Sequence, residues 1–341
     1  MPNNGTIDRL TISSPPESVS QYHAFVDSSP QGMLYCKTWW LEATAPGRWE
    51  VLVLRIGDDI KAAWPLVYNA RGNIGMPPLT QKLGVIFAPS TARYAKQLGD
   101  EIAVCDQFLD HISPEIGVNQ QFHEAFYNWL AFMWRGFSQT TKYTYIFDDL
   151  ENVADYMSRM TNDCRQRINK SVKELSVCET DDLQLMYDIN SLTFERQGVK
   201  CPYSLELVQR VHDACRSQAG ARIIIAKDGA GNIHACDYMV YDRRCAVSII
   251  QGADPRFRKG GAQRLLDWDS INFAATVSAK FDFEGSVMPG VEPYNRGFGA
   301  RQTPYFVLRR PRRWKSRLAA RQRRLVARAL HYIAERVEPT A

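Results

Sequence analysis

An α+β fold built on a mixed sheet is the architecture this sequence predicts, and three observations in its second half carry the prediction. Helical stretches precede three β-type runs joined by short turns. The last run leads through a basic, glycine-containing loop into another helix, and a further strand follows that helix. In that loop apolar Val247, Ile249 and Ile250 give way to Arg256, Arg258, Lys259, Gly260 and Gly261, after which Leu265, Leu266, Trp268 and Ile271 recur at helical spacing. Such a turn aims backbone N–H groups and a helix N-terminus at one point, which is a site for an anion, most often phosphate. Beyond it Lys280 to Glu284 alternates strictly, with Phe281 and Phe283 on one face and Asp282 and Glu284 on the other, as in a strand with one polar face. Gly285, Gly290, Gly297 and Gly299 then permit tight turns before the apolar run Tyr305 to Leu308.

From the start of the chain, residues 1–20 are polar and read as a loose lead-in. Folded material begins at Gln21 to Ser28 and Tyr35 to Thr44. Strands at Trp49 to Ile56 and Lys61 to Tyr68 are joined at Gly57, Asp58 and Asp59, a hairpin turn. Consecutive Pro77 and Pro78 mark a rigid loop. A helix at 93–112, a short apolar element at His123 to Met133 and a strand in TTKYTYIFDDL follow. The composition turns acidic at Asp148 to Glu151, where a domain boundary is expected, because 341 residues exceed one ordinary domain. This separates units at 21–150 and 151–310. The second opens with helices at Asn162 to Leu175, which carries Arg165, Arg167, Lys170 and Lys173, at Asp182 to Gly198, and at 204–217. Strands at 221–227, 233–241 and 245–250 come next. The first unit shows a looser form of the same order; pattern alone leaves a duplication open.

Apolar residues make up 45% of the chain, yet no run approaches the roughly 20 residues of a membrane span. MPNNGTIDRL has neither the charged start nor the apolar core of a secretory signal, so a cytoplasmic protein is expected. Eight cysteines without a CxxC pair argue against a zinc site and a disulfide framework. The net charge is +5, but residues 309–328 alone hold ten Arg or Lys and no acid, leaving the remainder at −5. Val326, Leu330, Ile333 and Val337 give residues 311–341 the spacing of an amphipathic helix. Its basic face, including Arg312 and Arg313, suits tRNA backbone, a peripheral contact with anionic lipid, or the acidic remainder of the protein.

Seven segments in order, LTQKLGVIF (79–87), TTKYTYIFDDL, CRQRINKSVKE, FERQGV (194–199), GADPRFRKGGAQRLLDW, FDFEGS and RGFGARQTPYF, resemble the Fem-type transferases and FemAB-related acyltransferases. The resemblance implies two tandem GNAT-like domains, each a mixed central sheet flanked by helices, with the C-terminal segment returning to the first. It also implies transfer of an aminoacyl group from aminoacyl-tRNA, or of an acyl group from acyl-CoA, to an amine. Two departures stand out. Fem-type enzymes carry Phe-Lys-Lys-Gly-Phe where this chain has Tyr294, Asn295, Arg296, Gly297 and Phe298, so a cationic role there passes to Arg296. FRKGGAQ meets the usual coenzyme A loop pattern in neither register, because Phe257 breaks one frame and Gln263 the other.

The chemistry expected is amide formation by direct acyl transfer, since no nucleophile motif is present and the six histidines are isolated. Asp282 and Glu284 are the candidates for orienting or deprotonating the amine, with a solvated strand face as the plain alternative. Backbone N–H groups near Gly297 to Gly299, helped by Arg296 or Tyr305, are the candidates for holding the oxyanion. Arg256, Arg258, Lys259, Gly260 and Gly261, with Arg165, Lys170, Arg312 and Arg313, are expected to grip donor phosphates. No metal and no cofactor is expected beyond the donor, which is aminoacyl-tRNA with acyl-CoA as the alternative. The acceptor is a small biosynthetic amine or amino sugar, and a non-catalytic RNA- or membrane-binding module is the remaining reading. The basic bend and the acidic ridge are expected to open onto one crevice.

Overall fold

The computed structural model describes residues 5–285 and 287–312. Strand β1 (Thr6–Leu10) precedes helices α1 (Pro16–Ser28) and α2 (Thr38–Thr44). Strands β2 (Trp49–Ile56), β3 (Asp59–Val67) and β4 (Ile86–Phe87) lead to α3 (Tyr94–Asp110), β5 (Val118–Gln121), α4 (Leu130–Trp134) and β6 (Ser138–Phe147). The second half runs α5 (Val153–Arg159), α6 (Asn162–Glu174), β7 (Leu175–Glu179), α7 (Leu183–Glu195), α8 (Leu205–Gln218), β8 (Gly220–Asp228), β9 (Ile233–Tyr241), β10 (Ala246–Ala253), α9 (Ala262–Val277), β11 (Phe281–Asp282), α10 (Glu292–Arg296) and β12 (Arg301–Arg310). Helices α6, α7 and α8 start where Thr161, Asp182 and Ser204 accept the N–H three residues on, satisfying donors a first turn leaves open.

The lead-in is more ordered than composition suggests. β1 pairs antiparallel with β2, and Arg9 reaches Glu50 at 2.6 Å. Five residues with only Ile7 and Leu10 facing inward are too few to show a strand period. The tail expected to form a basic helix, Arg313 included, lies outside the described residues.

Two sheets organise the molecule. One has the order β1-β2-β3-β4 and the other β5-β12-β6-β11-β10-β9-β8-β7. β12 inserts between β5 and β6, its ladder running from Arg301 opposite Ile146 to Arg309 opposite Ser138. The boundary we propose near residue 150 therefore falls between β6 and α5, in a sheet that continues across it. One apolar core also spans the two halves, joining Tyr22, Trp40 and Val51 to Met186, Val208, Ile225 and Tyr238. Each such side chain contributes about 1.5–3 kcal/mol on burial.

What positions the site is β11. It is two residues long, parallel to β10 (Ala246 and Val247 opposite Phe281 and Asp282) and antiparallel to β6. Past Val247, β10 continues to Ala253 while β11 has ended, so the sheet opens. The expected five-residue strand is cut short because Glu284 and Gly285 adopt φ of +56° and +54°. The expected face assignment survives for the aromatics, as Phe281 and Phe283 both enter the core under α9. Among the described residues no helix is long and apolar enough to cross a membrane.

Candidate active site

The loop after β10 forms one wall of a cleft of about 700 Å³, which continues over Gln251 and Gly252 to Val291 and Tyr294. α9 starts at Gly261, φ +80°, with no side chain capping its first turn, so its leading N–H groups stay available to a ligand. A Cβ at Gly261 would stand 2.9 Å from Ser171 Oγ and 3.2 Å from Arg167 Cβ, so glycine is required both by the left-handed backbone and by α6. Ser171 Oγ donates to Gly260 O at 2.8 Å and pins the loop to that helix. Arg258 and Arg196 line the cleft without a side-chain partner among the described residues. Arg264 is mostly buried, and its Nη1 has no hydrogen-bond partner there.

Beneath this cleft lies a pair of acids that sequence reasoning missed. Helical spacing places Asp267 and Ser270 on the inner face of α9, against Asp237 of β9; both carboxyls are fully buried. Gln251 Nε2 donates to both, at 2.5 Å to Asp267 and 3.2 Å to Asp237. Ser270 and Ser248 donate to Asp237 at 2.6 and 3.1 Å, and Tyr294 OH donates to Asp267. Burial, then the neighbouring Asp237, pushes the Asp267 carboxyl up to about 8. A folded-state pKa raised above the ordinary carboxyl value means stability that is complete below about pH 4 and lost as pH rises through about 8. Asp267→Asn stays neutral. It is expected to exceed the parent's stability at pH 9 by on the order of 2 kcal/mol and to lose that advantage at pH 5. Parallel slopes in thermal unfolding from pH 5 to 9 would exclude a protonated Asp267.

The acidic ridge faces a different set of partners. Lys82, 1% exposed at its side chain, donates to Asp282 Oδ2 at 2.7 Å and to Glu124 Oε2 at 2.8 Å. Thr144 Oγ1 donates to Asp282 Oδ1, which also accepts Glu284 N–H at 2.9 Å. Tyr35 OH donates to Glu284 Oε1, and Gln81 Nε2 donates to Glu284 O. Burial lowers the Lys82 ammonium, but Asp282 and Glu124 more than restore it, above the ordinary lysine range. Burial would raise Glu124, yet His123 and Lys82 draw it down to about 2. Burial, then Asp282, lifts Glu284 to about 8. Asp282 and Lys82 line a cavity of about 210 Å³ with His123, Glu124 and the β9–β10 turn.

The expected common crevice is thus two cavities, separated along β10. Val247 lies opposite Asp282, Gly252 lies in the cleft, and five strand residues put about 16 Å between them. Several expected residues fall elsewhere. Arg296 is exposed and paired with Glu292 at 2.9 Å. The N–H groups of Gly297, Phe298 and Gly299 are spent on carbonyls of Pro293, Tyr294, Asn295 and Arg296, so they cannot serve an oxyanion. Arg256 is exposed and clamped on Asp254, at 2.7 Å from Nη2 to Oδ2. Arg165 is turned to Asn162 and Met157, and Lys170 to Glu174 at 3.8 Å; Arg167 is the α6 cation that lines the cleft. Arg312 sits beside Asn73 and Gly117 in the first half. Lys259 lies in the turn Arg258–Gly260. Tyr305 joins the acidic cluster, with Lys82 Nζ 5.6 Å from its ring centre and its hydroxyl donating to Gln121 at 3.2 Å.

Residues 158–296 match the family model described as an acetyltransferase (GNAT) domain. The crystal structure of FemX is similar to the chain with a TM-score of 0.66 at 11% identity, over 88% of this chain and 96% of that one. A tandem GNAT protein from the clavulanic acid biosynthesis pathway is similar with a TM-score of 0.55 at 10% identity, over 92% and 100%. No curated protein matches. Residues 158–296 therefore carry an acetyltransferase (GNAT) domain, and the whole chain has the tandem GNAT fold seen in these structures. The protein is a transferase enzyme of the acyltransferase class.

Proposed function

We propose that this enzyme forms an amide bond, drawing an acyl group from a donor anchored by its phosphates at the α9 N-terminus and passing it to an amine in the opening between β10 and β11. The observation that carries this is the parted sheet itself, with an uncapped helix start at one end of the opening and Glu284 at the other. The amine nitrogen attacks the donor carbonyl, Glu284 takes its proton, the C–N bond forms, and the C–S or C–O bond to the carrier breaks as Glu284 returns that proton to the leaving carrier. Gln81 Oε1, buried and without a partner among the described residues, is suited to accept an N–H of the incoming amine. Amides of β10 beyond Val247, where β11 no longer pairs, are our candidates for meeting the oxyanion.

The span of about 16 Å from cleft to acids favours a carrier with a long arm between phosphate and acyl group, as in acyl-coenzyme A. The clavulanic acid pathway protein, described as the form without AcCoA, is in keeping with that donor. Aminoacyl-tRNA is the second reading, favoured by the ten basic residues at 309–328. Product formation with each donor class and a panel of amines separates them. Arg258→Ala is expected to weaken the productive donor about tenfold, since a charged hydrogen bond is worth about 1.5–3 kcal/mol. A steep salt dependence would point to RNA, and an unchanged KM for either donor would remove the cleft from donor binding.

A further inference from the structure

The smaller cavity carries more information than its place beside Asp282 requires. Its floor holds Lys82 between Asp282 and Glu124. Burial, with the fields of Lys82, Lys280 and Arg244, drives the His123 ring down to about 4, so His123 is neutral near pH 7. One ammonium against two carboxylates leaves the floor with a single net negative charge. The mouth has the opposite sign. Arg243 and Lys280 are exposed and have no side-chain partner among the described residues. Arg244 is fixed there by Nη1, which donates to Val26 O at 3.0 Å and Asp27 O at 3.3 Å; Gly32 makes room for it, since a Cβ would lie 3.0 Å from that nitrogen. The one acid of the turn, Asp242, is occupied by the N–H groups of Arg244 and Cys245 at 2.7 and 2.9 Å. Met33, Leu34, Ile146 and Val247 supply an apolar wall between the two poles. At about 210 Å³ the space is below the roughly 300–1,000 Å³ of pockets for drug-sized ligands, so its occupant is small.

A small molecule with an ammonium at one end, a carboxylate at the other and a compact side chain answers each of these features. We infer that this cavity binds a free α-amino acid, its ammonium toward Asp282 and Glu124 and its carboxylate toward Arg243, Arg244 and Lys280. Resting on the acyl-transfer reading above, that amino acid is the acceptor. One proton of its ammonium is taken up by the acids at this end of the opening, the freed amine attacks the donor carbonyl, and the second proton goes with the departing carrier. The product is an N-acyl amino acid whose carboxylate is untouched.

The test is direct binding without donor, by thermal shift and calorimetry of the full chain with the twenty L-amino acids, each beside its α-amide. At least one free acid is expected to bind, with its amide weaker by about tenfold or more, the loss of one charge-assisted contact. Arg243→Ala and Lys280→Ala remove exposed side chains. Each is expected to weaken binding about tenfold while leaving the unfolding midpoint unchanged. Absence of binding by every amino acid, equal affinity for acid and amide, or indifference to both substitutions would overturn the inference. Acylation of simple amines alongside no amino-acid binding discards the subsite and keeps the transferase reading. Binding of an amino acid that no donor acylates keeps the subsite and discards that reading.

Discussion

Glu284→Gln is expected to lower acyl transfer by about 100- to 10,000-fold, the usual range for a lost general base, with stability at pH 7 not reduced, since glutamine stays neutral where the parent's unfolded carboxyl ionises. Its backbone is the ground for this. A non-glycine residue at φ +56° is strained by about 1–3 kcal/mol, and here it is held by three contacts: its N–H to Asp282, its carbonyl from Gln81 and its carboxyl from Tyr35. Gly285 behind it is forced to be glycine, because a Cβ would lie 2.4 Å from Thr144 Cα. The carboxyl thus stands where β11 leaves β10, lifted by burial and by Asp282 to about 8. The parent rate is therefore expected to climb as pH rises through about 8, when the base ionises, while the glutamine variant stays flat. Initial rates from pH 6 to 9.5 decide it: the same limb in the variant assigns the base to another group.

Part of this site was legible in the sequence. The alternation of Phe281, Asp282, Phe283 and Glu284 placed the aromatics and the acids on opposite sides, and the glycine-containing bend before Leu265 announced a helix start open to anions. The failures have physical reasons. Lys82 sits in a loop, where a lysine ordinarily reads as solvated, and only its two acids, from 42 and 200 residues away, make its burial tolerable. Asp237 is a single acid within an apolar run and Asp267 is one of two acids in α9, the other being Asp269, paired with Arg222; the Asp237–Asp267 pairing exists only when α9 lies across β9. The separation of cleft and ridge depends on β11 being two residues long, which follows from the left-handed turn at Glu284, a conformation no residue type there announces. The β12–β6 ladder joins residues more than a hundred apart, a register local patterning does not encode.

Lys82→Met is expected to have the largest effect on stability, about 3–5 kcal/mol at pH 8, because it leaves two carboxylates facing each other without their shared cation. The geometry concentrates the charge: Nζ lies 2.7 Å from Asp282 and 2.8 Å from Glu124, with the Tyr305 ring on a third side. The ammonium is held above its ordinary range, so its contribution is constant through neutral pH and lost only at strongly alkaline pH. Glu124, drawn down to about 2, contributes stability that is present above its ordinary value and lost only as pH falls through about 2. Lys82 and Glu124 therefore add no slope to the parent between pH 5 and 8; the slope it has there comes from Glu284, His123 and Asp267, so the variant is read as its difference from the parent at each pH. In the methionine variant both acids lose their cation, their protonation becomes favourable, and stability should recover as pH falls toward 5. Adding Asp282→Asn should recover part of the loss at pH 8, because one buried charge is removed along with its partner's absence. Denaturant unfolding of the single and double variants at the two pH values measures this directly. A loss below about 1 kcal/mol that ignores pH would mean that water, not Lys82, balances these acids.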